Sequence, residues 1–189
     1  MEAFLVSTGL VALAEIGDKT QLLALLLAAR YRMPVPIVLG ILVATLANHA
    51  LAALGGNWLA TVVGEDAVRW IVGLSFLAMA GWALFPDRLE SHALRRGTLG
   101  IFGTALVSFF LVEMGDKTQL ATIGLAAHYA SVLPVVAGTT LGMMLANVPA
   151  VYLGERVLRR VPLKLVRASA AATFALLGTL TLLAPVLSK

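Results

Sequence analysis

Cysteine is absent from this 189-residue sequence, and charged residues make up only 13% of it. Without cysteine the chain can form neither a disulfide nor a thiolate metal site. Aromatic residues make up 7%, and only ten residues are acidic, whereas 60% are hydrophobic. An average soluble domain is about half apolar and about a quarter charged. The composition therefore excludes an ordinary soluble domain and predicts an integral membrane protein.

Six apolar runs account for almost the whole chain, which leaves no room for a soluble domain. Each run has about the 20 residues that a membrane-spanning helix needs. The sequence therefore predicts an all-α integral membrane fold with six transmembrane helices. The predicted spans are 3–29, 35–56, 67–85, 98–127, 133–154 and 166–187.

The basic residues predict the orientation of these spans. Six crossings place ten basic residues on one side of the membrane and two, Arg69 and Lys189, on the other. Because basic loops stay in the cytoplasm, both termini are predicted on the non-cytoplasmic side of the plasma (inner) membrane, and nucleic acid is not needed to explain the positive charge. Residues 1–13 lack a basic start and are interpreted as part of a retained helix. The ten are Arg30, Arg32, Arg88, Arg95, Arg96, Arg156, Arg159, Arg160, Lys164 and Arg167.

The chain repeats itself. The hexapeptide EIGDKT at 15–20 returns as EMGDKT at 113–118, and each copy is followed by Gln-Leu. The predicted units are a first three-helix repeat at 1–85, a cytoplasmic connecting loop at 86–97 and a second repeat at 98–189. Since three is an odd number of crossings, the second repeat lies inverted, which is a recurrent design of secondary transporters. A duplicated scaffold without a site is the alternative.

Each motif places several polar groups near the middle of a predicted span, where a charge costs about 2.5–3.5 kcal/mol. On a continuous helix the Glu, the Asp and the following Gln recur every third residue and share one face. The Gly permits local unwinding instead, which would free backbone carbonyls for an ion. Intrahelical pairs between Glu15 and Lys19 and between Glu113 and Lys117 are also expected, because Glu preceding Lys by four residues is the favoured order.

Charge and ligand chemistry together predict a cation site. The four acidic residues of the motifs and their two lysines leave a formal charge of −2, which one divalent cation or two protons would neutralise. An all-oxygen ligand set suits Ca²⁺, Mn²⁺ or Mg²⁺. The predicted metal ligands are Glu15, Asp18, Glu113 and Asp116. Possible secondary ligands or tuning groups are Gln21, Gln119, Thr20, Thr118, Lys19, Lys117, Asn48 and Asn147.

Other polar residues within the spans have two readings each. Asn48 and Asn147 occupy matching places, and each completes the ion shell or forms a hydrogen bond between helices. His49 has no counterpart, because Val148 follows Asn147. A packed histidine is the favoured interpretation, and a proton relay is the alternative. The tryptophans, which lie near predicted span ends, are interpreted as interfacial anchors: Trp58, Trp70 and Trp82.

The twin Glu-x-Gly-Asp-Lys-Thr motifs, each with Gln after it, resemble those of a family of small manganese and calcium transporters. The family includes Golgi Gdt-type proteins of eukaryotes and bacterial manganese exporters, and the resemblance covers the whole chain. It implies that Glu15, Asp18, Glu113 and Asp116 carry the cation, that Mn²⁺ or Ca²⁺ is exchanged for protons, and that the substrate is the only metal involved. The chain lacks the long N-terminal region and acidic central loop usual in eukaryotic relatives, and this compactness is typical of a prokaryotic member. The resemblance thus implies Mn²⁺ efflux from a bacterial cytoplasm.

Three other functions fit the sequence less well. An exporter of a small organic cation or amino acid would need a more aromatic site, and a pH-independent divalent cation channel would show no coupling to protons. An enzyme is rejected, because neither the aspartyl-protease nor the rhomboid motif is present and two intramembrane histidines for haem are lacking. The expected partners are the bilayer, the cation and protons, and a homo-oligomer is left open.

Overall fold

The computed structural model describes residues 1–85, 100–154 and 162–187 and is all-helical over these ranges, as predicted. The predicted connecting loop at 86–97 lies outside the described residues, as do Arg88, Arg95, Arg96, Arg156, Arg159, Arg160 and Lys189. The described helices are α1 (Glu2–Glu15), α2 (Lys19–Tyr31), α3 (Pro34–Val63), α4 (Glu65–Ala83), α5 (Gly100–Glu113), α6 (Lys117–Tyr129), α7 (Val132–Leu153) and α8 (Leu163–Leu187).

Three of the described helices are long and apolar enough to cross a bilayer: α3, α7 and the Leu163–Leu183 part of α8. Helix α3 has 30 residues and extends beyond the predicted span at 35–56. Helix α5 is apolar but has only 14 residues, and a helix of that length is about 21 Å long, shorter than the roughly 30 Å hydrocarbon core. These helices make the chain a membrane protein.

Two of the predicted spans, 3–29 and 98–127, are not continuous helices. The backbone of Gly17 has φ +79° and that of Gly115 has φ +77°, a left-handed conformation that glycine adopts most readily. After each glycine the Asp is extended and occupies the N-cap position of the next helix, without a capping hydrogen bond from its side chain. The prediction of local unwinding is confirmed at both motifs, and the continuous face shared by Glu, Asp and Gln is wrong.

The two halves pack against each other in matching ways. Helix α1 packs along α7 and α5 along α3, while α4 packs along α8. A Cβ atom added to Gly40 in α3 would lie 2.7 Å from the carbonyl oxygen of Phe102, and one added to Gly138 in α7 would lie 2.5 Å from that of Phe4. Gly138 lies 98 positions after Gly40, and Phe102 lies 98 positions after Phe4. The same close contact between a glycine and the backbone of a neighbouring helix therefore occurs in both halves. It holds in place the helices that lead into the motifs.

Replacing Gly40 with Ala is expected to lower the melting temperature of the protein. The new methyl group would overlap backbone atoms of α5, which cannot move aside as a flexible side chain can. Overpacking costs about 1–3 kcal/mol, which corresponds to a decrease of about 2–12 °C in melting temperature for a chain of this size. The measurement is tryptophan fluorescence of the detergent-purified protein during heating. Gly81→Ala is the matched control, because nothing lies within 4 Å of its added Cβ; equal melting temperatures for both variants would contradict the close contact.

Candidate metal site

Three buried carboxylates meet where the two chain breaks face each other. Oxygens of Glu15, Glu113 and Asp116 all lie within 4.8 Å of one another. Glu15 ends α1, Glu113 ends α5, and Asp116 caps α6. Four of their oxygens have no hydrogen-bond partner among the described residues: Glu15 Oε1, Glu113 Oε2, Asp116 Oδ1 and Asp116 Oδ2. Clustered carboxylate oxygens of this kind are the ligands that hard divalent cations prefer.

Threonine hydroxyls hold one oxygen of each glutamate. The Thr20 hydroxyl donates a hydrogen bond to Glu15 Oε2, and the Thr118 hydroxyl donates one to Glu113 Oε1. In both residues it is the opposite oxygen that lacks a partner. The two threonines, which the sequence offered as possible ligands, therefore orient the carboxylates in this structure.

The lysines form ion pairs across the two motifs. Lys117 Nζ lies 2.9 Å from Asp18 Oδ1, and Lys19 Nζ lies 3.4 Å from Asp116 Oδ1. The predicted intrahelical pairs, Glu15 with Lys19 and Glu113 with Lys117, are wrong. Their i, i+4 spacing requires an unbroken helix, and the helix stops at each glutamate before it restarts at the lysine.

Two residues outside the predicted set of ligands contact the site. Trp82 places its ring centroid 5.7 Å from Lys117 Nζ, within the range of a cation–π interaction. No sequence feature indicates this contact, since Trp82 lies near a predicted span end in another helix. His49, predicted as a packed histidine or a proton relay, is fully buried, and its Nε2 lies 3.7 Å from Glu113 Oε1.

The fourth predicted ligand, Asp18, lies outside the cluster of three carboxylates. It pairs with Lys117 and lines a crevice whose wall also includes Gly17, Phe85 and Arg167. Asp18 and Lys117 form one ion pair, and the other three carboxylates with Lys19 add up to a formal charge of −2 when all are ionised. The formal charge counted from the sequence therefore falls on the three clustered carboxylates.

The glutamines after the motifs stabilise the chain breaks. Gln21 Oε1 accepts a hydrogen bond of 2.8 Å from the Gly17 N–H, and Gln119 Oε1 accepts one of 2.7 Å from the Gly115 N–H. The side-chain amide of Gln21 donates to the Ala146 carbonyl at 2.8 Å. These oxygens, which were possible secondary ligands, are already engaged, and each glutamine ties a break to its surroundings.

The two asparagines differ in their bonding. Asn48 accepts a 2.6 Å hydrogen bond from Gln119 Nε2 and donates one of 3.2 Å to the Phe110 carbonyl, so it joins three helices. Asn147 donates within its own helix to the Met143 carbonyl at 3.0 Å, and its buried Oδ1 has no partner in the described part of the chain. The predicted hydrogen bond between helices is therefore confirmed for Asn48.

Comparison with known proteins supports a transport role. The model of the family described as "Divalent cation/proton antiporter GDT1" matches residues 3–91 and again residues 101–188. A Vibrio cholerae protein named "Putative manganese exporter" is 50% identical over 182 residues, which cover 96% of this chain and 90% of that protein. A GDT1-like protein of Synechocystis is 31% identical over 88% of this chain and 89% of its own length. GDT1-like protein 5 of Arabidopsis thaliana is 28% identical over 98% of this chain and 97% of its own length.

No solved structure matches the chain. The family model covers both halves separately, so the duplication seen in the motifs extends over each half. With a buried carboxylate cluster at the meeting point of those halves, the chain belongs to the GDT1 family of divalent cation/proton antiporters, which are transporters and not enzymes.

Proposed function

We propose that this protein exports Mn²⁺ in exchange for protons and that the cation binds at Glu15, Glu113 and Asp116. One observation carries the proposal: four oxygens of these buried carboxylates have no hydrogen-bond partner among the described residues, and of the four Asp116 Oδ1 alone has an ion-pair contact there, with Lys19 at 3.4 Å. Buried polar atoms are normally paired, so such a set requires a ligand or protons to be stable. A relative named for manganese export supports Mn²⁺ as the substrate; Ca²⁺ is the second candidate.

Six spans in two inverted repeats, 1–85 and 98–189, are the architecture that we propose around this site. In each half the two short helices before and after the glycine together are about 40 Å long, enough for one broken crossing. The matching contacts of Gly40 and Gly138 support the two-fold relation. Both termini lie on the non-cytoplasmic side of a bacterial plasma membrane in this proposal, with the loop at 86–97 in the cytoplasm.

The exchange itself follows from charge. With all three carboxylates ionised and Lys19 protonated, the site carries −2, and an uncompensated charge in a low-dielectric site is costly. One divalent cation or two protons remove that charge. The site therefore switches between the two sides of the membrane while it holds the cation or the protons. Switching while the site is empty and ionised is the disfavoured step. Obligatory exchange results without any further coupling device.

The crevice beside Gly17 is the proposed route from the cytoplasm. Phe85 and Arg167 line it, and both lie at helix ends that the basic residues assign to the cytoplasmic side. Asp18 and Lys117 lie on its wall, whereas the three clustered carboxylates do not. In this proposal the Asp18–Lys117 ion pair separates the crevice from the cluster, and alternating access includes its opening.

The test is transport by the purified protein in proteoliposomes with an imposed pH gradient. Mn²⁺ flux and lumenal pH are followed together, and Ca²⁺ is then tested in the same way. We expect flux of the metal in one direction and of protons in the other, both lost in Asp116→Asn. Metal flux that ignores the pH gradient would indicate a channel. Absence of any divalent flux would refute the proposal and direct the search to organic cations.

A further inference from the structure

We propose that His49 is a specificity-determining residue whose ring nitrogen binds the transported cation and favours Mn²⁺ over Ca²⁺. The inference rests on the proposed function, because it assumes that the cation occupies the carboxylate cluster. It concerns a residue that neither the twin motifs nor the repeat predicts.

The placement of His49 carries the argument. Its side chain is 0% exposed, and neither ring nitrogen has a hydrogen-bond partner among the described residues. Buried polar atoms without a partner are rare and costly, since they lose hydration without replacement. Nε2 nevertheless lies within 3.7 Å of Glu113 Oε1, at the edge of a cluster that itself has unpartnered oxygens. His49 is not part of the set of three carboxylates whose oxygens all lie within 4.8 Å of one another. A cation bound on the Glu113 side of that cluster would give Nε2 a partner and would also contact the Glu113 carboxylate.

The observed distance is compatible with a shared cation. Nitrogen and oxygen ligands lie roughly 2.0–2.6 Å from a divalent ion, so two neighbouring ligands of one ion are about 3–4.5 Å apart. Nε2 and Glu113 Oε1, at 3.7 Å, fall within this range. The Thr118 hydroxyl already donates to the same glutamate oxygen. A neutral imidazole nitrogen at this place is suited to bind the ion as a lone-pair donor.

A nitrogen ligand changes which ion is preferred. Ca²⁺ binds six to eight oxygens and gains little from imidazole, whereas transition metals accept nitrogen ligands. The carboxylates alone offer only oxygen and suit Ca²⁺ and Mn²⁺ alike. His49 adds one borderline donor to that set, so it shifts the preference toward the transition metal.

The repeat provides an internal comparison. The position that corresponds to His49 in the second half holds Val148, which has no donor atom. The nitrogen is therefore present on the α3 side of the cluster, next to Glu113, and has no equivalent in the matching helix α7. A residue that served only to pack two matching helices would have no need of a polar ring at one place and an aliphatic side chain at the other.

The first measurement is pulsed electron paramagnetic resonance of Mn²⁺ bound to the purified, tag-free protein. Coupling of the Mn²⁺ electron spin to an imidazole nitrogen is expected, and it should change when the histidines are labelled with ¹⁵N. The coupling should disappear in His49→Gln and persist in His128→Gln, which alters an exposed histidine at the end of α6.

The second measurement is competition between Mn²⁺ and Ca²⁺ for flux in proteoliposomes. Loss of one coordinating group is expected to weaken the preference for Mn²⁺ by about 10-fold or more in His49→Gln, and Val148→Thr should leave it unchanged. Mn²⁺ that is bound and transported by the unaltered protein without nitrogen coupling would overturn the inference while the proposed function stands. Absence of Mn²⁺ binding and flux in the unaltered protein would overturn both. Since the spectrum of the unaltered protein decides, a misfolded variant does not obscure the result.

Discussion

Glu113→Gln is expected to reduce proton-coupled Mn²⁺ flux by at least about 100-fold, a loss that corresponds to about 2.7 kcal/mol. Glu113 is nearly fully buried, and its oxygen lies within 4.8 Å of oxygens of Glu15 and Asp116. The amide keeps the shape of the side chain and its contact with Thr118 but removes one negative charge. The site then carries −1, so one divalent cation no longer neutralises it and two protons can no longer be held. Initial rates of Mn²⁺ uptake into proteoliposomes measure the effect.

Asp66→Asn is the matched control for this substitution. Its carboxylate is 88% exposed and pairs with Arg69 at 3.0 Å, far from any chain break. The flux of this variant should equal that of the unaltered protein. Both variants are first compared by size-exclusion chromatography and by melting temperature, which separates lost transport from lost folding. A folded Glu113→Gln protein that kept more than half of its flux would show that the carboxylate cluster is not the transport site.

The cost of the cluster explains why a purely structural role is disfavoured. Three carboxylates with little access to water repel one another, and replacement of buried charged groups by well-packed apolar ones is often stabilising. The chain nevertheless holds them in place with threonine hydroxyls, and it interrupts two helices to bring them together. A group of residues that opposes folding in this way is expected to serve the transported ion.

The components of the candidate site can be picked out from the sequence because they are local. A polar hexapeptide in an apolar run identifies its acidic residues wherever they lie in the fold, and Gly17 and Gly115 mark the only backbone positions in the motifs that readily turn left-handed. The net charge of −2 is likewise a property of composition. These predictions needed no knowledge of which helix packs against which.

The remaining features depend on tertiary placement. A motif lysine has a carboxylate four positions before it, so an intrahelical pair was the simplest expectation; the break and the packing of the halves give it a partner about 100 positions away instead. The same reason explains His49, whose neighbour Glu113 is distant in sequence, and Trp82 beside Lys117. The predicted span ends at residue 56, whereas α3 ends at Val63, because Gly55 and Gly56 do not interrupt the helix.

Breaking the crossed ion pair is expected to cause a large loss of stability. In Lys117→Met the Asp18 carboxylate, 5% exposed, loses the ion pair that it forms with Lys117 at 2.9 Å. Removal of one member of a buried pair costs about 3–5 kcal/mol, which corresponds to a decrease of about 6–20 °C in melting temperature for a chain of this size. Asp18→Asn should cause a similar decrease. Melting of the detergent-purified variants, followed by tryptophan fluorescence, provides the measurement.

The double variant distinguishes the crossed pair from an intrahelical one. If Lys117 neutralises Asp18, then Lys117→Met combined with Asp18→Asn removes both charges of the pair, and the double variant should lose less stability than the sum of the two single losses. Arg69→Met is the control: it breaks a pair with Asp66 at 3.0 Å in which the Asp66 carboxylate is 88% exposed. Water screens the carboxylate that remains there, so a loss of at most about 1 kcal/mol is expected. Losses from the two single variants at 18 and 117 that simply add would contradict the crossed pair. Recovery in the double variant, together with Mn²⁺ flux that no longer depends on the pH gradient, would show that the pair keeps the crevice closed and must separate for the cation to pass.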